Sequence, residues 1–308
     1  MNTIEAFEQD IMYQVIGLKK FLHSLNIEKI DVDQQERCVF TGAGDSFAAA
    51  LIVELASNNR IHCIDPTDIC INPLTVKDRS LYTVSVSGNT KANIAAARVA
   101  NKVAEKTIAI TAHPDSRLAD ICDEVIELKF RYSDILTAGS IGFNACMLAC
   151  LSFVKKVYLG DVKRLFNQAQ KEAENVPVSD HMYIVGSWIT FPLAMYGSAK
   201  MYEVFGIKAQ CAMLEQFCHM ELFSLRKKDT VLILAADNNA NTLSEKLLDD
   251  GYNVLICKPK GKNLEEKLLY HTMFLQLAVL QNVKKQKLEE CYFIRNKKLR
   301  AISSSMIY

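Results

Sequence analysis

The chain has 308 residues, enough for two domains at about 150 residues each. Half of them are hydrophobic and 23% are charged, which is globular composition and excludes a disordered chain. Lys+Arg number 36 against 35 Asp+Glu, a formal net charge of +1, so neither nucleic acid nor a membrane surface is expected as a partner.

From residue 3 to about 26, apolar positions recur at helical spacing: Ile4, Phe7, Ile11, Val15, Leu18 and Leu22. A short apolar run at 37–41 leads into Gly42-Ala-Gly44-Asp-Ser46 and an Ala-rich helix ending at Ala56. That is strand, tight glycine turn, helix. A second such unit has a strand at 80–85, a turn at Gly88-Asn89 and a helix from about 91 to 104. Further strands are expected at 107–111 and 124–128, then a helix-rich stretch from 137 to about 175. Strands alternating with helices indicate a parallel sheet covered on both faces.

The pattern then begins again, with a strand at 181–185, a turn at Gly186-Ser187 and a helix at 191–205. Residues 229–236 resemble the earlier 78–87 segment, and 252–257 match 107–111. Landmarks repeating at nearly one offset suggest a duplicated α/β domain, with the boundary near 176–180. The expected division is therefore 1–176 and 177–308, with a helix at 264–283 and a basic tail from Lys284.

The ten cysteines are scattered from Cys38 to Cys291 and read as small buried hydrophobes in a reducing compartment. The polar, acidic opening lacks the basic-then-apolar form of a leader. The most apolar window, 145–154, is about half the length of a membrane span. A cytoplasmic location is expected.

The most informative cluster is Ser85-Val-Ser87-Gly88-Asn89-Thr90, between a strand and a helix. Hydroxyls and backbone N–H groups converge there at a helix N-terminus, whose dipole also favours an anion. No lysine follows in nucleoside-triphosphate loop spacing, so a sugar phosphate fits better. The bland alternative is a Ser/Thr helix cap with a turn glycine. The second-half counterpart, Ala235-Ala-Asp-Asn-Asn239, keeps the turn but loses the hydroxyls and adds a carboxylate, which points to one phosphate site per chain. Gly44 and Ser46, in the first glycine turn, could form a second wall; that turn is not G-x-G-x-x-G, so nicotinamide binding has no support. In the second half, Lys200 and Glu203 lie three apart on a helix, and Glu215 and His219 four apart in the next segment. A carboxylate base and an imidazole suit proton transfer next to a carbonyl, although a surface ion pair and an ordinary half-buried histidine carry the same spacing. Cys146 and Cys150, also four apart, have no partner pair to complete a zinc set, and core packing explains them. No metal and no cofactor are expected.

Ser85-Val-Ser-Gly-Asn-Thr90, the downstream Ala109-Ile-Thr111, Ser116-Arg-Leu-Ala119 and Asp123, and the second-half segment together resemble the tandem sugar-isomerase (SIS) family, specifically the isomerase domain of glucosamine-6-phosphate synthase and its stand-alone relatives. Ala194-Met-Tyr-Gly-Ser-Ala-Lys200-Met-Tyr-Glu203 looks like that family's A-x-E-G-A-L-K-x-K-E helix, and Glu215-Gln-Phe-Cys-His219 like its E-x-x-x-H element. The resemblance implies two tandem doubly wound SIS domains. It implies a phosphosugar isomerase or amino-sugar-phosphate deaminase in which Ser46, Ser85, Ser87 and Thr90 bind the phosphate. Glu203 would move the proton between C1 and C2, Lys200 would support developing charge, and His219 would open the sugar ring. In the family that histidine comes from the neighbouring subunit, so a homodimer with shared sites is implied. The chain departs from the family at Tyr196, which stands for a glutamate, at Met220-Glu221 after the histidine, and at Ala138-Gly-Ser-Ile141, which lacks a lysine. The C-terminal lysine loop is recognisable only as Arg295-Asn-Lys297-Lys298-Leu-Arg300. The full synthase starts its glutaminase domain with a cysteine nucleophile; with Met1-Asn2-Thr3 at the start here, ammonia release from glutamine by that route is not expected. The alternatives are a phosphoglucose/phosphomannose isomerase and, outside the enzymes, a phosphosugar-binding regulatory SIS protein.

Overall fold

Nine strands are joined by helices everywhere except between the fourth and fifth, and every strand pairing is parallel. A computed structural model describes all 308 residues and gathers the strands into two sheets. The first sheet holds β1 (Cys38–Gly42), β2 (His62–Cys63), β3 (Ser80–Val84), β4 (Lys106–Thr111) and β5 (Glu124–Glu127) in the order β2-β1-β3-β4-β5. The second holds β6 (His181–Gly186), β7 (Lys208–Met213), β8 (Thr230–Leu234) and β9 (Asn253–Cys257) in the order β7-β6-β8-β9. The α/β architecture with parallel sheets is thus as the sequence pattern implies. β2 and β7 are additional strands: one has two residues, and the other, on a sheet edge, buries only Ala209 and Ala212, so neither forms an apolar run.

Two compact units divide the chain, each discontinuous in sequence. The unit with the first sheet comprises Gly17–Arg131, Ile141–Tyr158 and Lys298–Tyr308; the unit with the second comprises Met1–Ile16, Tyr132–Ser140 and Leu159–Lys297.

In the first unit, strand alternation sends side chains to two covered faces. Phe40 and Tyr82 stack at 4.6 Å on one face, with Phe153 edge-on to both at 5.2 and 5.0 Å. Val39 and Leu81 point to the other face. There they meet Ile69 of α3 (Pro66–Ile71) and Ala96 and Ala100 of α4 (Lys91–Ala100). Ala48, Ala49, Ala50, Ile52 and Val53 of α2 (Asp45–Ala56) are all buried, and α5 (Ile141–Ser152) is buried almost throughout.

The helix α1 (Thr3–Ser24) starts with a reciprocal cap: the Asn2 side chain accepts from the Glu5 N–H at 2.8 Å, and the Asn2 N–H donates to the Glu5 carboxylate at 2.9 Å. In the second unit, Tyr183, Val185, Val231 and Ile233 form one sheet face with Phe217 and Leu247. Phe217 belongs to α8 (Leu214–His219) and Leu247 to α9 (Asn238–Asp249). Opposite them lie α7 (Phe191–Phe205) and α10 (Leu264–Lys285), which approach so closely at Gly197 that a Cβ there would sit 2.9 Å from Leu275. An amphipathic helix, α6 (Val162–Ala173), precedes β6, and α11 (Tyr292–Arg295) and α12 (Lys297–Ile307) close the chain. No helix is long and apolar enough to cross a membrane. Cys146 and Cys150 are buried in α5, where desolvation pushes the Cys146 thiol up to about 12 and holds the Cys150 thiol well above its ordinary value.

Candidate functional site

In a parallel sheet of order 2-1-3-4, the chain leaves β1 and β3 in opposite directions, which opens a crevice at their carboxyl ends. Gly44 and Ser46 follow β1, and Ser85, Ser87, Asn89 and Thr90 follow β3. The topology therefore brings the six expected binding residues to one edge of the first sheet.

The second turn is tightly built. Ser85 is buried, and its Oγ accepts from the Gly88 N–H at 3.2 Å. Ser87 Oγ accepts from the Asn89 N–H at 3.3 Å, and the Asn89 amide donates to the Ser87 carbonyl at 3.0 Å. Gly88 has φ +61°, and a Cβ there would lie 1.9 Å from Ser116 Oγ, so only glycine fits. The Leu118 N–H donates to the Gly88 carbonyl at 2.9 Å, and the Asn93 side chain donates to the Val84 carbonyl at 3.2 Å. Ser116 and Asn93 are thus supports of the turn that motif reading did not assign. Asn93, a polar residue on the apolar side of α4, was the available signal.

Two equivalent helix N-termini differ in one respect. Thr90 occupies the N-cap of α4 in extended conformation, yet its side chain makes no capping hydrogen bond. Asp237, at the N-cap of α9 in the second unit, accepts from the Asn239 N–H at 2.9 Å and the Ala240 N–H at 3.3 Å. The Ser187 hydroxyl donates to the other Asp237 oxygen at 3.4 Å. The second helix carries its own carboxylate at the place where an anion would sit; the first leaves the Thr90 hydroxyl uncommitted to capping, while Ser85 and Ser87 accept from N–H groups of the turn.

The second unit also holds the remaining candidates, as two separate pairs. Lys200 and Glu203 lie one turn apart near the end of α7, with Nζ 2.5 Å from the carboxylate. The lysine side chain is fully buried and the carboxylate is 36% exposed, so this is no surface ion pair. Gly206, with φ +73°, ends α7 just beyond them in a left-handed cap. His219 instead pairs with Glu215 at 3.1 Å on the short α8, with both side chains largely exposed. Lys297, Lys298 and Arg300 are exposed at the start of α12. No group of three or more His, Cys, Asp or Glu side chains gathers into a metal-binding set.

No family model matches the chain. Among curated proteins it is 22% identical over 289 residues to the glutamine–fructose-6-phosphate aminotransferase (isomerizing) of Caldanaerobacter subterraneus, an alignment taking in 81% of this chain and 47% of that protein. The chain spans about half the length of that curated relative. Among solved structures, the glucosamine-6-phosphate deaminase of Thermotoga maritima superposes with a TM-score of 0.74 at 19% identity, over 92% of this chain and 96% of that one. The tagatose-6-phosphate ketose/aldose isomerase of Escherichia coli gives 0.72 at 16% identity, over 92% and 93%. The C-terminal domain of the Francisella tularensis glucosamine-fructose-6-phosphate aminotransferase gives 0.70 at 15%, over 91% and 96%. The fold is therefore shared with these proteins.

Proposed function

We propose that the chain is a phosphosugar enzyme of the tandem SIS family. The reaction is an aldose–ketose isomerisation, or an amino-sugar-phosphate isomerisation or deamination of the glucosamine-6-phosphate/fructose-6-phosphate type. The observation that carries the reading is the contrast between the α4 N-terminus, with uncapped Thr90 among serines, and the α9 N-terminus, closed by Asp237. One anion site per chain follows from it. The matching strand orders β2-β1-β3-β4 and β7-β6-β8-β9 support the tandem arrangement, with the sequence halves meeting near 176–180.

In this reading Ser46, Ser85, Ser87 and Thr90 hold the phosphate, with Gly44 and Asn89 shaping the turns. Glu203 takes the proton from one of C1 and C2 and returns it to the other through an enediol or enolamine. Lys200, 2.5 Å from that carboxylate, supports the charge developing on the reacting oxygens. His219 assists ring opening. Its exposure beside Glu215 suits service to a neighbouring copy in a homodimer.

Incubation with fructose 6-phosphate plus ammonia, glucosamine 6-phosphate, glucose 6-phosphate and mannose 6-phosphate in deuterated water tests the reading by proton NMR. Deuterium should enter C1 or C2 of one sugar, and Glu203→Gln should abolish this while leaving binding nearly intact. Full activity in Glu203→Gln refutes the mechanism; tight binding without exchange on any sugar replaces the enzyme with a sensor. Mixed dimers of Glu203→Gln and His219→Ala chains should regain part of the activity, and no recovery in verified mixed dimers counts against a shared site.

A further inference from the structure

A directed chain of hydrogen bonds runs through the second unit and ends beside the Lys200–Glu203 pair. Gln14 on α1, Tyr196 on α7 and Gln276 on α10 are all fully buried. Gln14 Nε2 donates to the Ile11 carbonyl at 3.1 Å and to Gln276 Oε1 at 2.6 Å. Gln276 Nε2 donates to Tyr196 Oη at 2.9 Å and to the Ser140 carbonyl at 3.4 Å. Tyr196 Oη donates to the Gly139 carbonyl at 2.8 Å. The sense of every bond is determined by its neighbours. Turning the Gln14 amide over would set its oxygen against two other oxygens. Turning Gln276 over would set oxygen against the Ser140 carbonyl and leave two amino groups facing each other. Both amino hydrogens of each glutamine are used, and the tyrosine both accepts and donates.

The chain fixes the Tyr196 ring at its hydroxyl end. One helical turn further along α7, the Lys200 ammonium lies 5.1 Å from the ring centroid, within cation–π range. A buried ammonium with an aromatic face on one side and the Glu203 carboxylate on another is held in place from two directions.

We propose that Tyr196 is a positioning residue: its hydroxyl pins the Gly139–Ser140 segment while its ring fixes Lys200, and through Lys200 the carboxylate of Glu203. The proposal rests on the reading of Glu203 as the proton-transferring base. Tyr196 acts through its neighbours and touches no reacting atom. The two functions of the side chain separate by substitution. Tyr196→Phe keeps the ring and loses both hydroxyl bonds; Tyr196→Leu loses both functions; Gln276→Leu loosens the hydroxyl end and leaves the ring.

The experiment measures kcat, KM and the melting temperature, with whichever of the four phosphosugars supports exchange as substrate and Glu203→Gln as the reference. Tyr196→Phe and Gln276→Leu should each lower kcat about tenfold with KM within about twofold, the signature of lost alignment rather than lost binding. Tyr196→Leu, which loses the ring as well, should lower kcat further, again with KM within about twofold. A residue with a merely structural role would lower the melting temperature and leave kcat in place. Should Tyr196→Leu not fold, Tyr196→Phe and Gln276→Leu decide by their kcat. Unchanged kcat in these variants, with Glu203→Gln inactive, overturns the positioning role and leaves the proposed reaction standing. Activity in Glu203→Gln, or no exchange by the wild-type protein, removes the reading and this inference together.

Discussion

Two buried titratable groups of the second unit should write opposite slopes into the pH dependence of stability. Desolvation pushes the His271 imidazole down from 6.5 to about 4; the neighbouring Ala235 backbone pulls weakly the other way, although neither ring nitrogen completes a hydrogen bond. The unfolded chain therefore takes up a proton near pH 6.5 that the folded chain refuses until about pH 4. Stability is lost as the pH falls from 6.5 to about 4, by about 3 kcal/mol at roughly 1.4 kcal/mol per unit. Asp10 is the reverse case. Burial raises its carboxyl from 3.8 to about 6 against the opposing hydrogen bond from the Ser133 N–H. Its contribution is fully present below pH 3.8 and is lost as pH rises through 6, again by about 3 kcal/mol. Between pH 4 and 6 the two largely cancel. Urea unfolding at intervals from pH 4 to 7.5 should expose each group when the other is removed. Asp10→Asn minus wild type should move in favour of the variant by about 3 kcal/mol from pH 4 to 7.5, because only the wild type then carries a buried charge. His271→Leu minus wild type should move in favour of the variant on acidification, by a similar amount. Taking differences cancels the titration of all other groups. Difference curves flat within about 0.5 kcal/mol would refute the argument that burial shifts these two groups.

The helix N-termini predict a second contrast, read by denaturation together with phosphosugar titration. Asp237→Ala should cost about 1 kcal/mol of stability and leave binding unchanged, whereas Thr90→Ala should cost little stability and weaken binding. Equal stability losses in the two variants would mean that Thr90 is an ordinary cap. Gly88→Ala should destabilise the first unit by about 1–3 kcal/mol and abolish binding, since the positive φ and the contact with Ser116 both exclude a Cβ. Wild-type binding by a folded Gly88→Ala protein would show that the turn does not need this conformation.

Much of the fold was readable because it depends on neighbours along the chain. The helix expected at 191–205 is observed as Phe191–Phe205, since Pro192 near its start and Gly206 after its end are local signals. The helix expected from 91 to 104 stops at Ala100 instead. Asn101 turns back, donating through its side chain to the Ile121 carbonyl, a partner twenty residues away that no local pattern contains. The Ser85–Thr90 turn could be found by motif, because hydroxyls, glycine and helix start follow one another directly. The supports behind it could not, since Ser116 reaches Gly88 only after β4 has been placed.

The sequence by itself determined the alternation of apolar runs and amphipathic helices, the glycine turns, the repeat of landmarks, and the residue types available for anion binding and proton transfer. These are properties of spacing, and spacing is local. Burial decided the rest. Lys200 and Glu203 have the spacing of a surface ion pair, and only packing around α7 makes the lysine fully buried. Gln14 stands between Ile11 and Leu18 in an apolar stripe, a polar residue whose purpose appears only when Gln276, 262 positions away, faces it. Asp10 and His271 owe their shifted titration to the same cause. A buried polar group must be matched or pay for its desolvation, and its match can come from any part of the chain.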